Sequence, residues 1–241
     1  HIFAHVSTDK KLHAIFQRGD DFYSTIAIDT EGLTQYSPNK KAPNYLGKLA
    51  PEVRQKAKSY SLGVPYGMGG YKLAFELNIP QADAERLVEA YLGAYPQLQE
   101  WIRTSHDFVL EHGYIRTLAG RVRHLKSTKA HYDKYGKSIL DSLVLYKQYG
   151  EDPQVYEQMK KVRKEMQNGL NNCINVQCQS MAASIVAKAS ILIMREFKAK
   201  GLSARLCLNV HDELVSEAPD SEVEQVCEIM QRNMENCYKL D

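Results

Sequence analysis

Leu12, Ile15 and Phe16 recur at helical spacing behind Ser7-Thr8-Asp9, and the run stops at Gly19, which predicts a short amphipathic helix with a polar cap and a glycine end. Asp20-Asp21 opens a second short helix by the same logic. Between Thr30 and Asn44 the apolar period is lost and Gly32, Pro38 and Pro43 appear, so this stretch reads as a connecting loop. Helical spacing dominates from there to Gly113. In Gly113 to Leu125, GYIRTLAGRVRHL, two short alternating runs flank Ala119-Gly120, which predicts a hairpin. Ser127 to Gln167 is charged and Tyr-rich, with a break at Gly150 to Pro153, and reads as mostly helical surface. Asn168 to Lys200 is helical again and ends before Gly201. Arg205 to Glu217 then alternates as a strand pair would, with Leu206, Leu208 and Val210 on one side and Cys207 and Asn209 on the other. Asp220 is expected to cap a final helix running through Met234. No internal repeat or low-complexity segment interrupts this order.

Composition narrows the class without naming it. The 241 residues are 44% hydrophobic and 25% charged, enough for one large core or two modest ones. The longest apolar stretch, Met181 to Met194, is interrupted by Lys188 and falls short of the roughly 20 residues a membrane span needs, so no span is expected. Five cysteines with no CxxC spacing, and an N-terminus without a signal-peptide pattern, point to reduced thiols and a cytoplasmic chain rather than a disulfide-stapled secreted one. A net charge of +2 does not announce a nucleic-acid binder. The distribution is more informative than the sum: bases gather at Arg54 to Lys58, Arg116 to Lys129 and Lys160 to Lys164, while Glu222 to Glu235 is acid-rich. Taken singly, solvated helix faces account for most such runs.

Three constellations carry candidate chemistry. Arg54, Lys58, Leu62 and Tyr66, in RQKAKSYSLGVPYG, stand at strict i+4 spacing on one helix face. Two cations followed by an apolar and an aromatic residue can meet phosphates, then sugar and base, although spacing alone fits an ordinary amphipathic helix better. Val210-His211-Asp212-Glu213 lies between two apolar strand segments. A carboxylate at a hairpin tip is a hard-oxygen ligand suited to Mg²⁺, which needs only one or two protein carboxylates; alone, the same residues also describe a plain surface hairpin. Asn175 and Gln179, again i+4, can either close a helical turn or face a nucleic-acid groove.

The pattern R-x3-K-x7-YG, met here without a gap, resembles the nucleotide-binding helix of family A DNA polymerases. Gly67 to Leu77, AYLGAYPQLQEWI, GYIRTLAGRVRHL and the opening IFAHVSTD resemble further segments of that family in the same order. The likeness covers nearly the whole chain except Ser127 to about Lys160, which reads as an insertion. It implies an α+β architecture of the right-hand polymerase type, with helical fingers inserted into a palm that carries an antiparallel sheet, truncated at both ends. Residues 1–14 would be a palm remnant, 15–165 the fingers, and 166–241 the palm with its catalytic hairpin.

The resemblance also implies roles. Asp212 would be a metal ligand and catalytic, with Glu213 beside it and Lys58 acting on the triphosphate. Arg54, Lys58, Leu62, Tyr66 and Tyr23 would bind nucleotide; Asn175, Gln179, Arg121 and His211 would contact DNA, His211 also positioning the hairpin. Two Mg²⁺ ions about 3.5–4 Å apart are implied in the complete enzyme. Primer–template DNA, dNTPs and a separate chain bearing the upstream palm and thumb are the implied partners, in the cytoplasm of a bacterial or phage-infected cell. The first catalytic Asp of the family is expected just upstream of His1, and Leu240-Asp241 stops before the family's terminal strand, so the chain alone is expected to be inactive. Leu62 stands where the family has Phe or Tyr, Tyr23 where it has His, and Asn171 where it has Arg. Pro65 should kink the helix before Tyr66. A single-subunit RNA polymerase and a nucleic-acid-binding subunit, either half of a split polymerase or a degenerate relative, are the alternatives; Glu213, Asn175 and Gln179 favour DNA synthesis over the first, and joint retention of Arg54, Lys58 and Asp212 argues against degeneracy while leaving a split enzyme open.

Overall fold

The computed structural model describes residues 1–239. Its first part is helical: α1 (Ile2–Ser7), α2 (Lys10–Arg18), α3 (Phe22–Glu31), α4 (Leu46–Leu49), α5 (Pro51–Gly63), a 3₁₀ turn at Val64–Tyr66, α6 (Gly70–Leu77), α7 (Gln81–Ala94) and α8 (Pro96–His112). A two-stranded hairpin, β1 (Tyr114–Arg116) and β2 (Val122–His124), precedes α9 (Lys126–Tyr135), a 3₁₀ turn at Lys137–Leu140, α10 (Ser142–Tyr149) and the 47-residue α11 (Pro153–Ala199). The antiparallel pair β3 (Arg205–Val210) and β4 (Glu213–Glu217) and then α12 (Val223–Asn236) complete the described chain. Contacts divide it into two units. The first holds His1, Phe3–Ile115 and Val122–Asn175; the second holds Ile2, Arg116–Arg121 and the chain from Val176 onward.

In the first unit, Asp9 does more than cap the helix that follows it. Its Oδ1 accepts from the backbone N–H groups of Lys11 and Leu12, and its Oδ2 from that of Leu98 in the first turn of α8. One fully buried carboxylate thus satisfies orphan donors of two helices 89 residues apart in sequence. Leu12, Ile15, Ile26, Ala57, Tyr60, Leu73, Tyr91 and Leu98 form the core around it. Two of its buried tyrosines pair their hydroxyls with carboxylates: Tyr95 donates to Asp29 at 2.8 Å and Tyr60 to Glu31 at 3.4 Å. Burial first, then the adjacent carboxylate, pushes both phenols above the ordinary tyrosine range.

The segment expected as a surface insertion is packed. A Cβ on Gly169 would lie 1.8 Å from the Thr128 hydroxyl, so this mid-helix glycine is what lets α9 approach α11. Arg163 Nε donates to the Leu140 carbonyl at 2.9 Å, His131 and Glu165 approach to 2.9 Å, and Ile139, Leu145, Met159 and Met166 are buried. The break at Gly150 to Pro153 is present. No second break occurs near Gln167, because the buried positions 159, 166, 170 and 173 keep one helical phase across it.

The second unit packs Ile193 and Phe197 of α11 against Ala204, Val226 and Ile229, with Leu206 and Leu214 half-buried beside them. The expected strand pair forms, but its faces differ from simple alternation. A shift in register between Leu206 and Leu208 leaves Cys207 as a bulge, after which Leu208 pairs with Val215 and Asn209 with Leu214. Leu206 therefore faces the core with Leu214, whereas Leu208 and Val210 turn outward and are 60% and 47% exposed. Asp220 does not cap α12: it lies in a 3₁₀ turn, Asp220–Glu222, and α12 begins without a side-chain cap. The Glu222 carboxylate instead accepts from the N–H groups of Ser203 and Ala204 before β3. By length and composition α11 could cross a membrane, contrary to the sequence expectation, since an averaged window admits a charge or two where an unbroken apolar run does not. Its Ile193 and Phe197 are buried, but only 22% of the apolar window is. Leu240 and Asp241, read as stopping before the family's terminal strand, lie outside the described residues.

Candidate nucleotide and nucleic-acid site

Pro51 opens α5 at a position where its missing N–H costs nothing, and Glu52 suits the positive helix end. The α-helix yields to a 3₁₀ turn at Val64–Tyr66, as Pro65 predicted. Gly67 follows at φ +92°, and a Cβ there would fall 2.2 Å from Asn171 Oδ1. Glycine after Tyr66 is thus required twice, by a left-handed backbone and by the Asn171 amide lying against it. Gln167 Nε2 donates to that amide at 2.9 Å.

Three cations leave α5, and their surroundings differ. Arg54 makes a bidentate pair with Asp21, Nε to Oδ2 and Nη2 to Oδ1, both at 2.8 Å. Asp21 also accepts from the Ser24 N–H and hydroxyl at the start of α3. Burial opposes its ionisation, but the Arg54 hydrogen bond and then those from Ser24 bring its pKa down to about 2. Lys56 pairs with Glu31 at 3.0 Å. Lys58 is exposed and has no carboxylate partner among the described residues. Tyr23, in the first turn of α3, presents its ring to two of these cations, 5.1 Å from the Arg54 guanidinium and 5.9 Å from Lys58 Nζ.

One helical turn beyond Lys58, Leu62 is 44% exposed and lines a cavity of about 300 Å³ with Phe3, Phe16, Phe22 and Tyr23. Tyr66 packs its ring 5.1 Å from that of Phe3. Arg54, Lys58, Leu62, Tyr66 and Tyr23 therefore fall in one neighbourhood of the first unit. The sequence reading missed Asp21 as the partner of Arg54 and saw it only as a helix cap.

The remaining predicted residues are placed apart from that cluster in the sequence. His211 and Asp212 form the two-residue turn between β3 and β4, with His211 at φ 55°, a conformation rare outside glycine but less so for histidine. Asp212 and Glu213 are both exposed. Among the described residues no group of three His, Cys, Asp or Glu side chains is close enough to hold a metal, so the hairpin offers one or two carboxylates. Asn175 is exposed on α11 in the first unit and Gln179 is exposed on the same helix in the second. Arg121 is exposed at the end of the β1–β2 turn, which is closed by Thr117: its N–H donates to the Arg121 carbonyl and its hydroxyl accepts from the Arg121 N–H.

The sequence profile of DNA polymerase family A matches residues 1–241. DNA polymerase I of Caldicellulosiruptor bescii is 27% identical over 99% of this chain, and the thermostable DNA polymerase I of Thermus aquaticus is 28% identical over 99%. The chain spans 23% and 24% of those two proteins. The POL domain of Pol1 from M. smegmatis, solved in complex with DNA primer-template and dNTP, superposes with a TM-score of 0.74 at 27% identity, covering 99% of this chain and 35% of that one. With a match along its whole length and a polymerase-domain fold, the chain belongs to DNA polymerase family A.

Proposed function

We propose that the protein carries out template-directed DNA synthesis, in which a primer 3′-hydroxyl attacks the α-phosphate of a dNTP and pyrophosphate leaves. The observation that carries this reading is the convergence of Arg54 and Lys58 on Tyr23 beside the cavity lined by Leu62. In it, residues 15–165 are the fingers, and 1–14 with 166–241 belong to the palm. Lys58, the cation without a carboxylate partner among the described residues, meets the triphosphate and neutralises or protonates the departing pyrophosphate. Arg54 is held by Asp21 and adds a fixed positive field rather than a mobile ligand. Tyr66 and Leu62 pack the nascent base pair, Leu62 with a smaller contact than an aromatic would give. Asn175, Gln179, Arg121 and His211 contact the primer–template.

Asp212, with Glu213, suits Mg²⁺, which takes hard oxygen ligands and commonly only one or two carboxylates beside phosphates and water. When bound, the metal supplies charge stabilisation at the reacting phosphate. The carboxylate at the hairpin tip would hold it, with phosphate oxygens and water filling the remaining positions. Primer extension by the intact protein tests the reading: incorporation of the templated dNTP only is expected, and untemplated addition or none contradicts it.

A further inference from the structure

The first half of α11 has two faces. Met159, Met166, Leu170, Cys173 and Ile174 are buried on one side. Lys160, Lys161, Lys164, Asn168, Asn172 and Asn175 are exposed, and their spacing sets them on the opposite side. Its basic end is concave: Lys160, Lys161, Lys164, Gln167 and Asn168, with Glu157 at one end, line a groove of about 460 Å³.

Charge in this groove is not balanced from within. Lys160 pairs with Glu157 at 2.7 Å, and Arg163 donates its Nε to the Leu140 carbonyl. Lys161 and Lys164 have no ion pair or hydrogen bond among the described residues. Acids do stand at i−4 and i+4 from Lys161, but Glu157 pairs with Lys160 and Glu165 with His131, so neither answers it. Here lysines give way to asparagines, each up to about 0.7 kcal/mol worse than alanine in a helix, with no structural return at exposed Asn168, Asn172 and Asn175. The stripe also reaches the nucleotide-binding segment, because Asn171 lies against Gly67 beside Tyr66.

We infer that this stripe is a nucleic-acid track whose lysine end, Lys161 and Lys164 above all, binds backbone phosphates beyond the contact proposed for Asn175. The inference rests on the polymerase reading above. From Lys161 to Asn175 the helix rises about 21 Å at 1.5 Å per residue. That is about six phosphates along one strand at 3.4 Å each. Amides at one end suit the neutral acceptors of bases and sugars.

The test measures binding of the intact protein to a primer–template with a 5′ overhang and to a blunt duplex across a salt series. It compares wild type, Lys161→Ala/Lys164→Ala, and Lys10→Ala/Lys11→Ala as a control of equal charge at two exposed lysines elsewhere. The track variant should flatten the log Kd against log salt slope by about 1.4 to 1.8 and weaken binding about tenfold at low salt, since each lost phosphate contact is worth about 0.7 (single strand) to 0.9 (duplex) in slope. The control should match wild type, the turnover rate at saturating DNA should hold, and Lys161→Glu/Lys164→Glu should weaken binding further. Loss confined to the overhang substrate assigns the phosphates to single-stranded template; loss on both assigns them to duplex. An unchanged slope on both substrates overturns the track and leaves an acidic protein as the partner for the groove. Failure of the wild type to bind either substrate overturns the polymerase reading together with it.

Discussion

Around α5, Arg54 and Lys56 are each tied to a carboxylate from another helix, Tyr23 is set against two cations, and Gly67 is fixed by the Asn171 amide. At the β3–β4 tip, by contrast, Asp212 and Glu213 stand exposed on a two-stranded ribbon whose outer face shows Leu208, Val210 and Val215. The difference teaches that the two halves of the proposed chemistry demand different support. A phosphate-binding surface can be preorganised by local ion pairs within one unit. At the hairpin the described residues bring one or two carboxylates, so a metal there would take its remaining ligands from phosphates and water.

The largest effect expected from this contrast is at the hairpin. In the intact protein Asp212→Asn should lower the rate of nucleotide addition by roughly 10²–10³ or more while leaving primer–template affinity nearly unchanged, because it removes a charge at the reacting centre and no duplex contact. Single-turnover extension together with a binding titration checks this, and near-normal turnover would remove Asp212 from the site.

Next comes the preorganised side. Asp21→Ala removes the bidentate partner of a partly buried guanidinium and strips α3 of its cap, so it should cost about 2 kcal/mol in stability. It should also raise the KM for dNTP by freeing Arg54 and Tyr23. The same pair predicts an acid limit. Asp21 is held at about 2 in the fold against an ordinary 3.8, so its contribution is complete above about pH 4 and is lost as pH falls through 2. Denaturation midpoints between pH 5 and 2 should fall more steeply for wild type than for Asp21→Asn; parallel curves would show that the pair contributes nothing. Gly67→Ala should be milder, about 1–2 kcal/mol of backbone strain plus displacement of Asn171, again with a higher KM for dNTP. If Gly67→Ala leaves KM unchanged, Tyr66 is not placed by this turn.

The order of elements, both hairpins and the spacing of Arg54, Lys58, Leu62 and Tyr66 were legible in the sequence because each rests on local period or on a turn residue. The Asp21–Arg54 pair was not, since nothing in a helix-capping aspartate announces a guanidinium 33 residues away. The bulge at Cys207 was hidden because period-2 reasoning assumes an unbroken register, and it reversed the faces expected of Leu208 and Val210. Glu222 displaced Asp220 from its expected role by bonding back to Ser203 and Ala204 across the chain. The reason for Gly169 inside a helix is Thr128, which no local pattern links to it.

Lys56 and Lys58 lie on the same helix two residues apart, one bound to Glu31 at 3.0 Å and the other without a carboxylate partner among the described residues. Steady-state kinetics of Lys56→Ala and Lys58→Ala in the intact protein therefore test the nucleotide-binding account directly. Lys58→Ala is expected to raise the KM for dNTP and lower kcat, together about tenfold or more in kcat/KM, with Lys56→Ala close to wild type. Equal effects of the two substitutions, or unchanged kinetics for Lys58→Ala, would contradict the claim that this face of α5 holds the triphosphate.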